Sequence, residues 1–527
     1  MPWTDRRGRL AVQLAALGLV VFLAAAAGAG VRATRGAQTT ADEPQYLLSA
    51  ISIAEDGDLD IADELADERW REFHAAQLPV QTRVLPDGRQ VSPHDPLLPL
   101  LLALPVAVGG WFGAKLAMAV VAGLLAAALA WVAIRRFAID PRTALPVVAI
   151  FGVSAPLAMY GTQLYPEMPA ALAVTAGIGA LTGRLQRRGC WLLATVVVAL
   201  PWLAVKYAPL AAALGAVAVA RLARQGRRPA AVGLVIAFAA AGLVFAAVHL
   251  AVWTGVTAYA AGDHFVGGEM TALGHAPNYA GRSVRLIGLL VDRQFGLAAW
   301  QPAWLLLVPA AAIVARRRPD GWVIPAVVLA AGWLTATFAA LTMHGFWFPG
   351  RQVVAVLPAA ILLLLVAGRD ARWLRFATLG LGAVGVWSAA WLLHAGRSGA
   401  ITWVVDFFAV GDPWYRAWSA LLPSYMGPSA ATWLRHGLWS AAAVITAVAV
   451  WRRYSVASSS TPEADPEPLA DPEPEPEPPS SRVRTPAPSS PPQAVAESSR
   501  TSTAPDRRSD RARDDTTGSL RPTRDGE

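Results

Sequence analysis

The sequence predicts an all-α, polytopic membrane helical bundle of about twelve transmembrane helices with a helical first outer loop. Three observations carry that prediction. Of the 527 residues, 55% are hydrophobic and only 16% charged, with mean hydropathy +0.40. Apolar runs near or above 18 residues recur from Leu10 to Trp451, each long enough to cross a hydrocarbon core of about 30 Å as a helix. Arginines gather in short clusters between those runs, as topology signals do.

The first run follows Arg6, Arg7 and Arg9 and extends from Leu10 to about Gly30. It is too long for the core of a signal peptide and more apolar runs follow, so it reads as a retained first helix. Later arginine clusters fall at 135–142, 184–188, 221–228, 316–318, 369–375 and 452–453. If all face the cytoplasm, an even number of spans joins each pair, and six intervals of two give twelve helices with both termini inside. The apolar runs fit at 10–30, 115–134, 143–160, 167–183, 190–205, 207–221, 229–252, 296–315, 322–342, 351–367, 375–394 and 434–451. Residues 97–113 are left over. Counting them as a span would invert every later cluster, and Pro99 and Pro105 interrupt them, so they are expected as an interfacial or re-entrant piece. The loops 31–96, 253–295, 343–350 and 395–433 then lie outside. The first is acidic, and Glu43 to Ala54 carries helical periodicity after an Asp that can cap.

From Ser455 the composition turns to Glu-Pro and Asp-Pro repeats, then Ser, Pro and Arg up to Glu527. Such a segment buries too little apolar surface to offset its ordering entropy, so 455–527 is expected to be a disordered cytoplasmic tail beyond a membrane domain of 1–454. The single cysteine, Cys190, excludes an intramolecular disulfide framework. The net charge of +8 sits in topology clusters, so nucleic acid is not an expected partner. Walker A, HExxH and nucleophile-elbow patterns are missing from the sequence.

The outer loops hold the polar residues that packing does not require. Asp42-Glu43-Pro44 follows the first helix, and Tyr165-Pro166-Glu167 opens the fourth span. Two carboxylates converging there can serve as general base and orienter, or hold a divalent cation; the plainer reading is an acid favouring a helix N-terminus. His94 lies in Ser92-Pro93-His94-Asp95-Pro96, where a histidine can bind phosphate, orient a carboxylate or ligate a metal, or do none of these. Lys206, one of only two lysines (Lys115 is the other), stands at the turn between the fifth and sixth spans. It either snorkels to the interface or receives a lipid-linked phosphate. Arg293 and Arg351 are basic residues on the outer side, where few are expected, and a guanidinium suits phosphate oxygens. Tyr46 and Tyr165 join His94 as orienting candidates. Outer aromatics (Trp300, Phe346, Trp347, Phe348, Trp414, Tyr415, Trp418) either stack on sugar rings or form an interfacial belt.

The ordered segments ADEPQYLLSAISIAEDGDLDI (41–61), SPHDPLLPLLLALP (92–105), TQLYPEMPAALA (162–173), LPWLAVKYAPL (200–210), DRQFGLAAWQPAWL (292–305) and GRQVVAVLP (350–358) resemble the GT-C class of integral-membrane glycosyltransferases. That class includes protein mannosyltransferases and lipid A aminoarabinose transferases. The resemblance spans about residues 10–450. It implies an inverting transfer of a sugar from a polyprenyl-phosphate carrier to a glycan, glycolipid or protein acceptor at the extracytoplasmic face of the cell membrane. By the same resemblance Asp42 would be the general base, Glu43 and Glu167 would orient groups or bind a cation, and Lys206, Arg293 and Arg351 would hold the carrier phosphate. A divalent cation, magnesium or manganese on Asp42 and Glu167, stays open, because metal dependence differs within the class. Gln45 stands where relatives often have His, and no large outer domain follows the last span. The alternatives are a twelve-span secondary transporter or lipid-linked sugar flippase, and a scaffold whose tail recruits partners. A transporter would show repeated halves or ionisable groups at the midplane; no internal repeat is evident, and the charges collect at one interface.

Overall fold

The computed structural model describes residues 3–262, 278–404 and 410–459. These residues form helices and loops, with four isolated bridges as the only strand-like pairing among them. The tail predicted over 455–527 lies almost wholly outside them. The last helix runs Ala430–Ser459 and so includes the first five residues of that tail.

The predicted apolar runs fall mainly on helix, and among the described residues seven helices are long and apolar enough to cross a membrane. The long ones used below are α1 (Trp3–Ala26), α4 (Leu97–Arg136), α8 (Ala208–Arg224), α9 (Arg228–Trp253) and α13 (Arg372–Arg397). Two expected continuous spans are broken instead, and a third changes its helical winding. The run 143–160 stops as α5 (Pro141–Gly152) and resumes at Leu157–Tyr160 after Pro156. The run 296–315 becomes Leu297–Trp300, Pro302–Leu306 and α10 (Leu307–Arg317). The run 322–342 is α11 (Val323–Leu334) followed by a π-helical turn, Thr335–Ala339. Proline at 156 and 302 removes a backbone donor and clashes with the preceding turn, which accounts for the first two breaks.

Residues 97–113 differ from expectation in a second way. They join the next span in one 40-residue element, α4. At ~1.5 Å per residue that is about twice the thickness of a hydrocarbon core. The chain bends sharply at Gly109 and Gly110, the latter at φ +55, which L side chains adopt reluctantly. The residues expected as a separate interfacial piece form the first part of this kinked helix.

The core forms around α4 and α12 (Leu357–Asp370). α4 packs on α1, on α2 (Glu43–Glu55) and on α6 (Glu167–Thr182). Where α1 crosses α4, a Cβ on Gly18 would lie 3.0 Å from the Gly123 oxygen, and one on Gly123 would lie 2.6 Å from the Gly18 oxygen. Small residues let the two backbones touch, the usual currency of helix association in lipid. α12 is buried from Leu357 to Gly368, as a central helix must be. α7 (Arg187–Leu203) leads through a short turn into α8, and that turn carries Lys206.

Candidate functional site

The site forms where four chain segments end at one side of the bundle. Asp42 precedes α2. The residue before it, Ala41, has φ +50, a left-handed conformation that costs a non-glycine residue ~1 kcal/mol or more. Gln81 holds that turn by donating from Nε2 to the Ala41 carbonyl (3.2 Å), while its Oε1 contacts His94 Nε2 at 3.2 Å. Asp42 occupies the N-cap position yet its carboxylate makes no capping hydrogen bond. It accepts instead from Arg351 Nη2 at 2.5 Å. Its hydrogen bonding thus serves Arg351 and not the backbone of its own helix.

Glu167 behaves likewise. It opens α6 with no side-chain cap at Pro166, and its Oε1 receives Arg351 Nε at 3.0 Å and Lys206 Nζ at 2.6 Å. Arg351 thus bridges two carboxylates, a use of the guanidinium fork that lysine cannot copy. Its planar group also lies 4.0 Å from the Tyr165 ring centroid and 4.8 Å from that of Trp347, a favourable cation–π arrangement. Tyr165 donates its hydroxyl to the Thr40 carbonyl (3.1 Å). Tyr46 is buried and stacks on His94 at 4.7 Å.

Lys206 is placed by a relay that sequence reasoning missed. Asp95 Oδ2 accepts from the Val205 backbone N–H (2.8 Å), and Asp95 Oδ1 meets His249 Nε2 at 2.9 Å. The other ring nitrogen of His249 faces the Phe245 carbonyl at 2.8 Å. His249 lay hidden in the apolar run of α9, and Asp95 beside a more conspicuous histidine.

Asp42, His94, Lys206 and Arg351 border a cavity of about 940 Å³ whose lining also includes Tyr207, Phe346, Trp347, Leu210, Ala336, Ala339 and Val356. Its lining is mainly apolar, with these charged side chains set into it. Burial opposes a charge on Asp42, but Arg351 outweighs it with help from His94 and Lys206, and the carboxyl stays well below the usual carboxylate range.

Two acids expected to be catalytic do not reach the cavity. Glu43 is fully buried; its two oxygens accept from the Thr40 and Leu164 backbone N–H groups at 2.9 and 2.8 Å. It ties the loop before α2 to the loop before α6. Burial raises it to about 6, against the opposing pull of Lys115 and the two N–H groups. Lys115, also unassigned from sequence, is buried and donates to the Gln38 carbonyl at 2.6 Å. Glu167 is likewise fully buried and acts through the two cations it holds. Arg293 is a clear departure from expectation. It donates to the Ser419 and Leu422 carbonyls at 2.8 and 3.3 Å and clamps the 413–423 segment, away from the cavity lining. Of the aromatics, Phe346 and Trp347 line the cavity, while Trp300 and Phe348 are buried in the core.

The donor set also bears on a divalent cation at Asp42 and Glu167. Two carboxylates are already balanced by two cations, so a metal between them would sit against Arg351 and Lys206. These residues do not fit one. Comparison with family models, with characterised proteins and with solved structures gives no match.

Proposed function

We propose that the chain is a GT-C-type glycosyltransferase of the cell membrane, transferring a sugar from a polyprenyl-phosphate donor to an envelope acceptor on the extracytoplasmic side. In this reading the chain crosses the membrane twelve times, the broken helices included, with both termini in the cytoplasm. The observation that carries it is the Arg351 bridge between Asp42 and Glu167, with Lys206 on the same Glu167, beside a mainly apolar cavity into which Asp42, Lys206 and Arg351 are set. A donor with a phosphate head and a hydrocarbon tail calls for both kinds of lining.

In the proposed step the acceptor hydroxyl oxygen attacks the anomeric carbon and its proton passes to Asp42. The carbon–oxygen bond to phosphate breaks, and the electron pair leaves with the polyprenyl phosphate. The carrier changes from a phosphodiester with one negative charge to a monoester with two. Arg351 and Lys206 stabilise the added charge where it develops, which is the larger part of what such a site supplies. Glu167 positions both cations, and Glu43 and Ala41 fix the direction of Asp42.

The test compares envelope glycans and polyprenyl-phosphate sugars in a strain lacking the protein, with and without complementation by Asp42→Asn. The variant is expected to insert normally, to lose product and to accumulate donor, as loss of a general base costs about 10²–10⁴-fold. Normal product levels would refute the reading.

A further inference from the structure

Beyond the cavity, the turn that closes α2 carries a second concentration of charge. The sequence reads Asp56-Gly57-Asp58-Leu59-Asp60-Ile61-Ala62-Asp63-Glu64, running from the end of α2 into α3 (Ala62–Ala66). Two of its acids are engaged in the loop's own bonding. Asp58 Oδ1 accepts from Ser52 Oγ and the Asp60 N–H, and Asp60 Oδ1 accepts from the Ala62 and Gln90 N–H groups, all at 2.9–3.2 Å. The other three, Asp56, Asp63 and Glu64, bring carboxylate oxygens within 4.8 Å of one another.

Glu64 is the telling member. It is 3% exposed, and both of its carboxylate oxygens are buried without a hydrogen-bond partner. A buried, unpartnered carboxylate facing two further acids is costly to keep, and Asp56 adds an unfavourable charge at the C-terminus of α2. Arg69, on the next turn, is turned away to Glu55 through two bonds of 2.6 and 2.8 Å.

We infer that Asp56, Asp63 and Glu64 form a calcium site that joins the end of α2 to α3. Oxygen ligands at 2.3–2.6 Å from one ion lie at most about 5 Å apart, so the spacing allows all three to share it. The set is oxygen-only, and two of its members are solvent-exposed, leaving room for water to complete a coordination shell larger than magnesium prefers. The ion stands at the far end of α2 from Asp42. Thirteen residues of helix separate the two by about 20 Å, so its effect is on the rigidity of the helix that carries Asp42 and not on the chemistry.

The full chain, purified in detergent, is melted after chelator treatment and again with added calcium chloride or magnesium chloride. Calcium is expected to raise the melting temperature by several degrees, saturating at about 10⁻⁴–10⁻³ M as extracellular sites do, with a much smaller rise from magnesium. In Glu64→Gln the calcium response disappears, while the chelated protein melts no lower than chelated wild type because the orphaned charge is gone. Asp56→Asn, an exposed change that does not threaten folding, raises the half-saturating calcium concentration about tenfold, equivalent to ~1.4 kcal/mol. Identical melting with chelator and with calcium, an equal rise from magnesium, or an unchanged response in both variants would overturn the site. The measurement involves no sugar transfer, so it stands or falls apart from the proposed activity.

Discussion

Replacing Arg351 by Gln removes the one group that holds Asp42 and Glu167 together, and the structure sets the size of the effect. Taking one partner from a buried ion pair costs about 3–5 kcal/mol when the remaining charge has no other relief. Here the relief is partial: Asp42 is 20% exposed, whereas Glu167 is 1% exposed but keeps Lys206 at 2.6 Å. The expected loss is therefore roughly 2–4 kcal/mol, read as a lowered midpoint in denaturant titration of the detergent-solubilised chain. Arg351→Gln combined with Asp42→Asn should recover part of it, a coupling of about 1–3 kcal/mol, because the second change removes the charge that the first leaves without its partner. Arg351→Lys keeps the charge but offers a point donor to two carboxylates, so it should keep one bridge and still lose most transfer. Donor turnover should fall about 10²–10³-fold in Arg351→Gln. Additive single-variant effects within ~0.5 kcal/mol, or full turnover in Arg351→Lys, would refute the view of Arg351 as a shared clamp.

Two further outcomes follow from the buried residues around it. The folded Glu43 carboxyl titrates at about 6 against an ordinary 4.5, so the folded chain binds that proton more tightly than the unfolded one. Stability should rise by up to about 2 kcal/mol as pH falls from 6 to 4.5, and Glu43→Gln should flatten that window in a pH series of unfolding midpoints. Arg293→Gln should lower stability by about 1–3 kcal/mol by stranding two carbonyl groups and leave the donor KM unchanged; a large KM effect would return Arg293 to the phosphate site.

How much of this was legible in the sequence depends on whether a residue's partner is near in the chain. Asp42, Glu167, Lys206 and Arg351 stand out because each charge lies in a loop or at the end of an apolar run, where packing gives no reason to keep it; the structure brings Asp42 and Glu167 to the Arg351 guanidinium, with Lys206 on Glu167. Glu43 and Asp42 are neighbours of the same chemical type, and only the fold separates a cavity-facing acid from one that braces two loops. Arg293 misled because an outer arginine breaks the charge rule for any reason, and its acceptors lie 126 and 129 positions away. Lys115 bonds a carbonyl 77 positions distant, and the Asp95–His249 pair spans 154; neither separation leaves a local pattern. The kink at Gly109–Gly110 and the breaks at Pro156 and Pro302 show the opposite, since proline and glycine act on their own backbone.

Arg351 also poses a chemical difficulty whose resolution can be tested. An aspartate held well below the usual carboxylate range by a bridging guanidinium is a poor base for a hydroxyl. If the donor phosphate draws Arg351 toward itself, the contact that depresses Asp42 weakens, and the negative phosphate beside it favours the protonated form. Asp42 then becomes more basic only in the complex that needs a base. The two pH profiles separate these states, because kcat/KM reports the free protein and kcat the loaded one. Both should be recorded in Glu43→Gln, to remove the titration near 6. In that background kcat/KM should show no acid limb in the ordinary carboxylate range, since unpaired Asp42 appears only after binding. The kcat profile should gain a limb at or above about pH 4, the value of an aspartate without its cation. A phosphodiester donor does not titrate there, so it cannot supply the limb. Coincident profiles would mean that Arg351 stays on Asp42 throughout, and the proton would then need another acceptor among the cavity residues, His94 first.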